Sequence, residues 1–181
     1  MVGCMSERLT KAGWIAHGLA TLARDGAHAL KVGPMATALN VSRGSFYWHF
    51  DDIGAFRAEL LAAWREQATQ RVIDAISRRS GPGRLNHLLR GAFSQDRALD
   101  RAFRAWAADD ADVAAVVTSA DADRFAYITR LLTDAGVAPD KAPARAAFLY
   151  WAYLGQASVM DPRHASIAES AIDDIAELFE R

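Results

Sequence analysis

The sequence predicts an all-α protein of about nine helices, a small N-terminal helix-turn-helix unit followed by a larger helical bundle. Three observations carry that prediction. Apolar residues recur at three- and four-residue spacing through most of the chain, and no stretch alternates apolar and polar residues over strand length. Val116-Val117-Thr118, the strongest β-like run, sits inside a longer helical pattern. The breaks between periodic stretches fall at glycine, proline, asparagine and paired aspartates, the residues that end and cap helices. Finally, 181 residues with 51% hydrophobic and 24% charged side chains suffice to bury a core without disulfide or metal staples.

The elements follow in order. Ile15, Leu19, Leu22 and Ala23 mark a first helix over about 7–24, stopped at Gly26 after Asp25. Gly33-Pro34 opens the second, because proline in a first turn forfeits no hydrogen bond. It carries Met35, Ala36 and Leu39 as far as Asn40, a residue that tolerates the left-handed backbone needed to reverse the chain. Ser42 is placed to cap the third helix by accepting a first-turn N–H bond, and that helix runs through Arg43-Gly44-Ser45-Phe46-Tyr47-Trp48-His49. Two short helices separated by about three residues make a helix-turn-helix. Asp51 or Asp52 caps a fourth helix that runs to about Arg79, with Phe56, Leu60, Trp64, Ala68, Val72, Ala75 and Ile76 as its apolar stripe. Ser80-Gly81-Pro82-Gly83 ends it. Further helices cover roughly 84–94, 97–108, 111–135, 140–160 and 165–180, broken at Asp109-Asp110, at Ala135-Gly136 before Pro139, and at Asp161-Pro162. The domain reading is 1–51 for the helix-turn-helix unit and 52–181 for the bundle.

Composition excludes several classes. The lone cysteine, Cys4, allows neither an intrachain disulfide nor a cysteine-based zinc cluster. No apolar run approaches the ~20 residues of a membrane span, and the first residues lack the apolar core of a secretory signal, so the expected location is the cytoplasm, with no membrane partner. Formal net charge is −1, but it is unevenly spread. Residues 1–50 hold Arg8, Lys11, Arg24, Lys31 and Arg43 against Glu7 and Asp25, net +3, and the remainder holds 16 basic against 20 acidic side chains, net −4. A basic first third on an acidic body points to a local polyanion contact. The sequence contains no His-Glu-x-x-His, phosphate loop or nucleophile elbow. Asp109, Asp110 and Asp112 read as helix caps, and His17, His28, His87 and His164 share no helical face. No enzyme activity, cofactor or metal site is expected.

The third helix carries the functional signal. Arg43, Gly44 and Ser45 put small and polar groups at its N-terminal end, where base edges are read. Gly44 gives up as much as ~1 kcal/mol of helix stability against alanine, which close approach of the backbone to DNA would offset. Phe46 and Phe50, four apart, face the first two helices, whereas Tyr47 and His49 point outward with donors for phosphate.

The segment from Val32 to Phe50, with Ser42-Arg43-Gly44-Ser45-Phe46-Tyr47-Trp48-His49-Phe50 in register, resembles the DNA-binding domain of the TetR family of transcriptional regulators. Asp51-Asp52-Ile53 at the head of the fourth helix fits as well. The resemblance implies a homodimer on palindromic double-stranded DNA, with an unknown small-molecule effector held in the C-terminal bundle. It places the DNA contacts at Lys31, Ser42, Arg43, Gly44, Ser45, Tyr47, Trp48 and His49. Tyr47 and His49 fall on its phosphate contacts, and Arg43, Ser45 and Trp48 where it reads bases. Two positions depart from it: Lys31 replaces a threonine that touches phosphate, and Gly54 stands near a position commonly held by lysine.

In the bundle, Phe148, Trp151, Gly155 and Ser158 share one face of the penultimate helix, and Ile167, Ala171, Ile175 and Leu178 form a stripe on the last. Such a terminal pair suits isologous packing against an identical pair, so Phe148, Trp151, Gly155, Ile167, Ala171, Ile175 and Leu178 form the expected dimer interface. The aromatic surplus suggests a ligand site lined by Trp64, Gln67, Phe93, Trp106, Phe125, Tyr150 and Tyr153, suited to an apolar or aromatic molecule. The resulting reading is a ligand-released repressor. Its rivals are an activator, a regulator answering to a protein, and a carrier or enzyme built on the bundle alone.

Overall fold

In the computed structural model, which describes residues 9–81, 83–94, 97–156 and 167–181, the chain is all-α, with nine helices and no strand among the described residues. They are α1 (Lys11–Asp25), α2 (Val32–Ala38), α3 (Arg43–Tyr47), α4 (Ile53–Arg65, followed by Glu66–Gln70 as a π-helical turn and Arg71–Ser77), α5 (Arg84–Ser94), α6 (Ala98–Ala107), α7 (Ala111–Asp134), α8 (Ala142–Gln156) and α9 (Ala171–Glu180). Cys4, Pro82, Ser158, Asp161-Pro162 and His164 lie outside the described residues. No described helix is long and apolar enough to cross a membrane.

The described residues fall into two compact units, one running as far as Trp64 and including Ala98–Ala114, the other formed by Arg65–Arg97 and Ala115–Arg181. Local chemistry sets the first unit's helix ends. Thr10 Oγ1 accepts the Gly13 N–H at 3.0 Å to start α1, and Gly26 stops it at φ 83°, a conformation that side chains rarely adopt. A single 3₁₀ turn, Ala27–Ala29, precedes α2. Asn40 reverses the chain between α2 and α3 at φ 53°, and Asp52 caps α4 by accepting the Ala55 N–H at 2.7 Å.

Phe46 is the centre of the first unit's core. Its ring meets Trp14 edge-on at 5.2 Å, Phe56 at 5.3 Å and Phe50 at 5.0 Å, and all four residues are buried. Full burial of such a ring contributes roughly 1.5–3 kcal/mol relative to exposure. α1 lies so close to α4 that a Cβ on Gly18 would come within 2.5 Å of Phe56 Cζ and 2.9 Å of a Leu60 methyl. α6 packs on α1, and Phe103 on α6 stacks against Trp64 at 4.7 Å.

The second unit is built around Leu85, Leu89, Leu132, Ala142, Ala146, Leu149 and Ile172. Arg90 on α5 ties down α9 through Asp173 at 2.6 Å and holds Glu169 at 3.0 Å, while Asn86 bonds the same Asp173 carboxylate. Those bonds, Asn86 first and Arg90 second, hold the Asp173 carboxyl below its usual range. Arg145 on α8 donates to the Phe179 carbonyl at 2.6 Å and satisfies an end group of α9.

Two sequence expectations are corrected in this unit. Residues 167–170 precede α9 rather than open it, so Ile167 is not on the helical stripe. The π turn also shifts the face of α4: after Phe56, Leu60 and Trp64, the next buried residue is Thr69, and Ala68 is only half-buried.

Candidate nucleic-acid interface

α3 has only five residues, and its buried side is fixed by Phe46 within the helix and Phe50 beyond it. With those rings locked inward, helical geometry turns their neighbours to solvent. Tyr47 is 59% exposed and Trp48 71% exposed, and Arg43 and Gly44 are exposed at the N-terminal end beside the half-buried Ser45. Large apolar side chains so open to water are uncommon, and here they flank polar groups on a helix of a helix-turn-helix. Ser42, Gly44, Ser45, Trp48 and His49, with Leu9 and the Asn40-Val41 turn, line an open groove of about 360 Å³.

Two details depart from the sequence reading. Ser42 stands at the N-cap with extended backbone, yet its hydroxyl makes no capping bond; the turn closes instead through Ser45 N–H to the Ser42 carbonyl at 3.0 Å. His49 does not project freely outward. It is half-buried, and its Nε2 lies 2.8 Å from the Leu9 carbonyl. A carbonyl only accepts, so Nε2 carries the proton and is engaged within the chain, leaving Nδ1 for any outside group.

The basic charges of the first unit are also partly neutralised. Lys11 pairs with Glu59 at 2.6 Å and Arg24 with Asp25 at 2.6 Å. Arg8 lies outside the described residues, and among those described Lys31 and Arg43 make no ion pair. Lys31 is the exposed N-cap residue of α2, where its side chain makes no capping bond. The Arg43 guanidinium folds towards the same helix, so close to Gly33 that a Cβ there would sit 2.9 Å from Nη2. Lys31 at the N-cap of α2 and the Arg43 guanidinium beside Gly33 are thus cations without an ion pair among the described residues.

The expected ligand residues are divided between the two units. Trp64 and Trp106 belong to the first unit, and Phe93, Phe125, Tyr150 and Tyr153 to the second. Trp64 is a core residue stacked on Phe103, and Trp106 donates its indole N–H to Asp110 at 3.1 Å, the residue that also caps α7 by accepting from the Asp112 and Val113 N–H groups. Gln67, in the π turn, is exposed. Trp64 is thus buried, and Gln67 faces solvent. Sequence reasoning also missed Arg97, Arg124 and Gln156, polar residues of the second unit that become notable only through burial, and Asp121, which Tyr150 and Arg124 contact. Of the expected dimer residues, Phe148, Trp151 and Leu178 are exposed and so are Ile167 and Gly155, while Ala171 and Ile175 are half-buried. Phe148 stacks on Phe179 at 5.8 Å, so α8 and α9 carry an open aromatic and aliphatic surface. Among the described residues no group of three or more histidine, cysteine, aspartate or glutamate side chains is placed to hold a metal ion.

No protein-family model matches the sequence, and no curated protein matches it significantly. Among solved structures, the chain is similar to that of a provisionally assigned transcriptional regulator from Pseudomonas aeruginosa PAO1, with 22% sequence identity and a TM-score of 0.70 over 93% of this chain and 87% of that one. At that identity the likeness establishes a shared all-α fold across nearly the whole length of both chains.

Proposed function

We propose that this protein is a TetR-type DNA-binding transcriptional regulator, a cytoplasmic homodimeric repressor that leaves a palindromic operator when a small molecule binds its second unit. The observation that carries the reading is the two-faced α3: Phe46 and Phe50 buried on one side, and Arg43, Gly44, Ser45, Tyr47 and Trp48 presented on the other. A helix so short has little packing reason to expose two large aromatic residues. A groove of duplex DNA provides both the apolar sugar edges and the phosphates that they and the adjacent cations suit. Tyr47 and Lys31 are assigned to phosphate, together with His49 in its imidazolium form, in which Nδ1 also carries a proton to donate, and Arg43, Ser45 and Trp48 to bases. The regulator assignment of the Pseudomonas aeruginosa protein of similar fold supports the same reading.

Dimerisation is inferred from the open face of α8 and α9, where Phe148, Trp151 and Leu178 give an apolar surface that a second copy would bury. Replacing Trp151, 67% exposed, with glutamate is expected to yield a folded monomer by light scattering. The test of the whole reading is selection of bound duplexes from a random pool. One inverted repeat with half-sites about 34–36 Å apart is expected. Recovery of no consensus, or tight binding of a monomer to an asymmetric site, refutes it.

A further inference from the structure

In the second unit, polar side chains gather around one ring on α8. The Arg97 guanidinium lies over Tyr153 at 4.1 Å from the ring centroid, and that of Arg124 lies at 5.7 Å. Tyr150 stacks on Tyr153 at 5.7 Å and donates its hydroxyl to Asp121 Oδ1 at 2.5 Å. Burial first, and that bond second, push the Tyr150 hydroxyl well above the usual phenol range, so it stays a neutral donor.

Arg124 is held by its own chain. Nε donates to Thr69 Oγ1 at 2.9 Å, Nη2 to the Ala68 carbonyl at 3.2 Å, and Nη1 lies 4.0 Å from Asp121. Arg97, immediately before α6, is different. Its Nε and Nη2 are shielded from solvent, and neither has a hydrogen-bond partner among the described residues. Gln156 Nε2, three residues beyond Tyr153 on α8, is shielded and unpartnered in the same way.

Nε and Nη2 form one edge of a guanidinium, with two N–H bonds that point the same way at the spacing of two carboxylate oxygens. Stacking on Tyr153 uses the face of the guanidinium and leaves that edge for in-plane partners. A shielded cationic edge without acceptors is unfavourable, and the nearby Asp121 carboxylate is already engaged by Tyr150 and adjacent to Arg124. The missing complement is a pair of anionic oxygens. Partly buried Phe93, Phe125 and Tyr153 pack on the same core and offer apolar contact to whatever carries them.

We propose that the second unit binds a small organic carboxylate, whose two oxygens are held by Arg97 Nε and Nη2 with Gln156 as a third donor and whose apolar body lies along Tyr153, Phe93 and Phe125. This rests on the effector-binding part of the proposed function and replaces a neutral apolar ligand with an organic acid.

The experiment is calorimetric titration of the full-length protein, without DNA, using benzoate and octanoate, their neutral amides, and inorganic phosphate. At least one carboxylate is expected to bind about tenfold or more tightly than its amide and than phosphate. Arg97→Met keeps an apolar stem on Tyr153 but removes the fork, and it should abolish that preference; Arg97→Lys should restore only part of it. Without ligand, Arg97→Met should melt at or above the wild-type temperature, because relief of a shielded edge without acceptors outweighs the lost cation–π contact with Tyr153. Equal binding of acid and amide, phosphate binding as tightly as either acid, a preference that survives Arg97→Met, or a lower melting temperature in that variant would each overturn the proposal. Repeating the titration with the selected duplex separates the two readings. A carboxylate that binds through Arg97 yet leaves duplex affinity unchanged removes its effector role and leaves the site standing; intact duplex binding with no carboxylate binding removes the site alone.

Discussion

Gly44→Ala separates what α3 does for the fold from what it does for DNA. Gly44 is the second residue of α3, lies outside the left-handed region and is exposed. A Cβ added there meets only Ser42 Oγ at 3.6 Å, an ordinary contact. Nothing in the free protein therefore demands glycine. Alanine gains as much as ~1 kcal/mol in a helix interior, and about half that in a first turn. For a chain of this length, half a kilocalorie raises the melting temperature by roughly 1–2 °C. If the α3 backbone sits against a base edge or sugar, the added methyl overfills a packed interface at ~1–3 kcal/mol, or about 5- to 150-fold in affinity. The assay is fluorescence anisotropy on a labelled selected duplex at fixed salt, alongside thermal unfolding of both proteins. A melting temperature that holds or rises while affinity falls is the expected pair of results. Unchanged affinity in the more stable variant would show that Gly44 does not face DNA.

Three further outcomes are expected. Arg43→Ala and Ser45→Ala should flatten preference at particular base pairs by ~1–3 kcal/mol each, whereas Tyr47→Phe and Lys31→Ala should weaken all duplexes alike; competition binding across single-base variants of the operator distinguishes the two patterns. Gly18→Ala should destabilise the first unit by ~1–3 kcal/mol in denaturant unfolding, because the new Cβ would lie 2.5 Å from the buried Phe56 ring. Asp173 has a depressed carboxyl in the folded chain, so its bonds to Asn86 and Arg90 stabilise α9 at pH values above the ordinary carboxylate range and are lost as pH falls through the folded value. Hydrogen exchange over Ala171–Glu180 should rise below about pH 4, and Asp173→Asn should remove that acid-dependent component.

What could be read from the sequence was what neighbouring residues decide among themselves. Asn40 takes the left-handed conformation, Gly26 ends α1 and Asp52 caps α4, each through chemistry contained within a few residues. The face of α3 was legible for the same reason, since Phe46 and Phe50 one turn apart determine which side chains are left outside. The π turn was not legible. Ala68 continues the α-helical spacing from Trp64 and is apolar, whereas Thr69 is polar and reads as solvated. Thr69 is buried because the extra residue of the π turn carries it inward, and there Arg124, on α7, supplies its hydrogen bond. The aromatic count showed that large rings had to be buried, but not against what. Trp64 became core because Phe103 lies on it, and no local pattern announces that a helix at 98–107 returns to α1.

The same division explains why the proposed DNA face and the proposed carboxylate site differ so much in visibility. A DNA-reading face consists of side chains that the fold leaves uncovered, so its signal is a small set of unsatisfied surface residues at helical spacing in one short segment. The Arg97 site consists of donors that the fold covers without satisfying. In the sequence, Arg97 heads the helix expected over 97–108, and an arginine there is most simply solvated. It gains meaning only when Tyr153 occupies its face and its edge is shielded from water with no acceptor among the described residues. Arg124 is the internal control: an arginine beside the same ring, equally unannounced in sequence, whose donors are met by Thr69 and Ala68. Of two guanidinium groups around one tyrosine, the fold supplies hydrogen-bond acceptors to Nε and Nη2 of Arg124 and to neither of these atoms of Arg97. That asymmetry distinguishes a group recruited for packing from one held ready for a ligand.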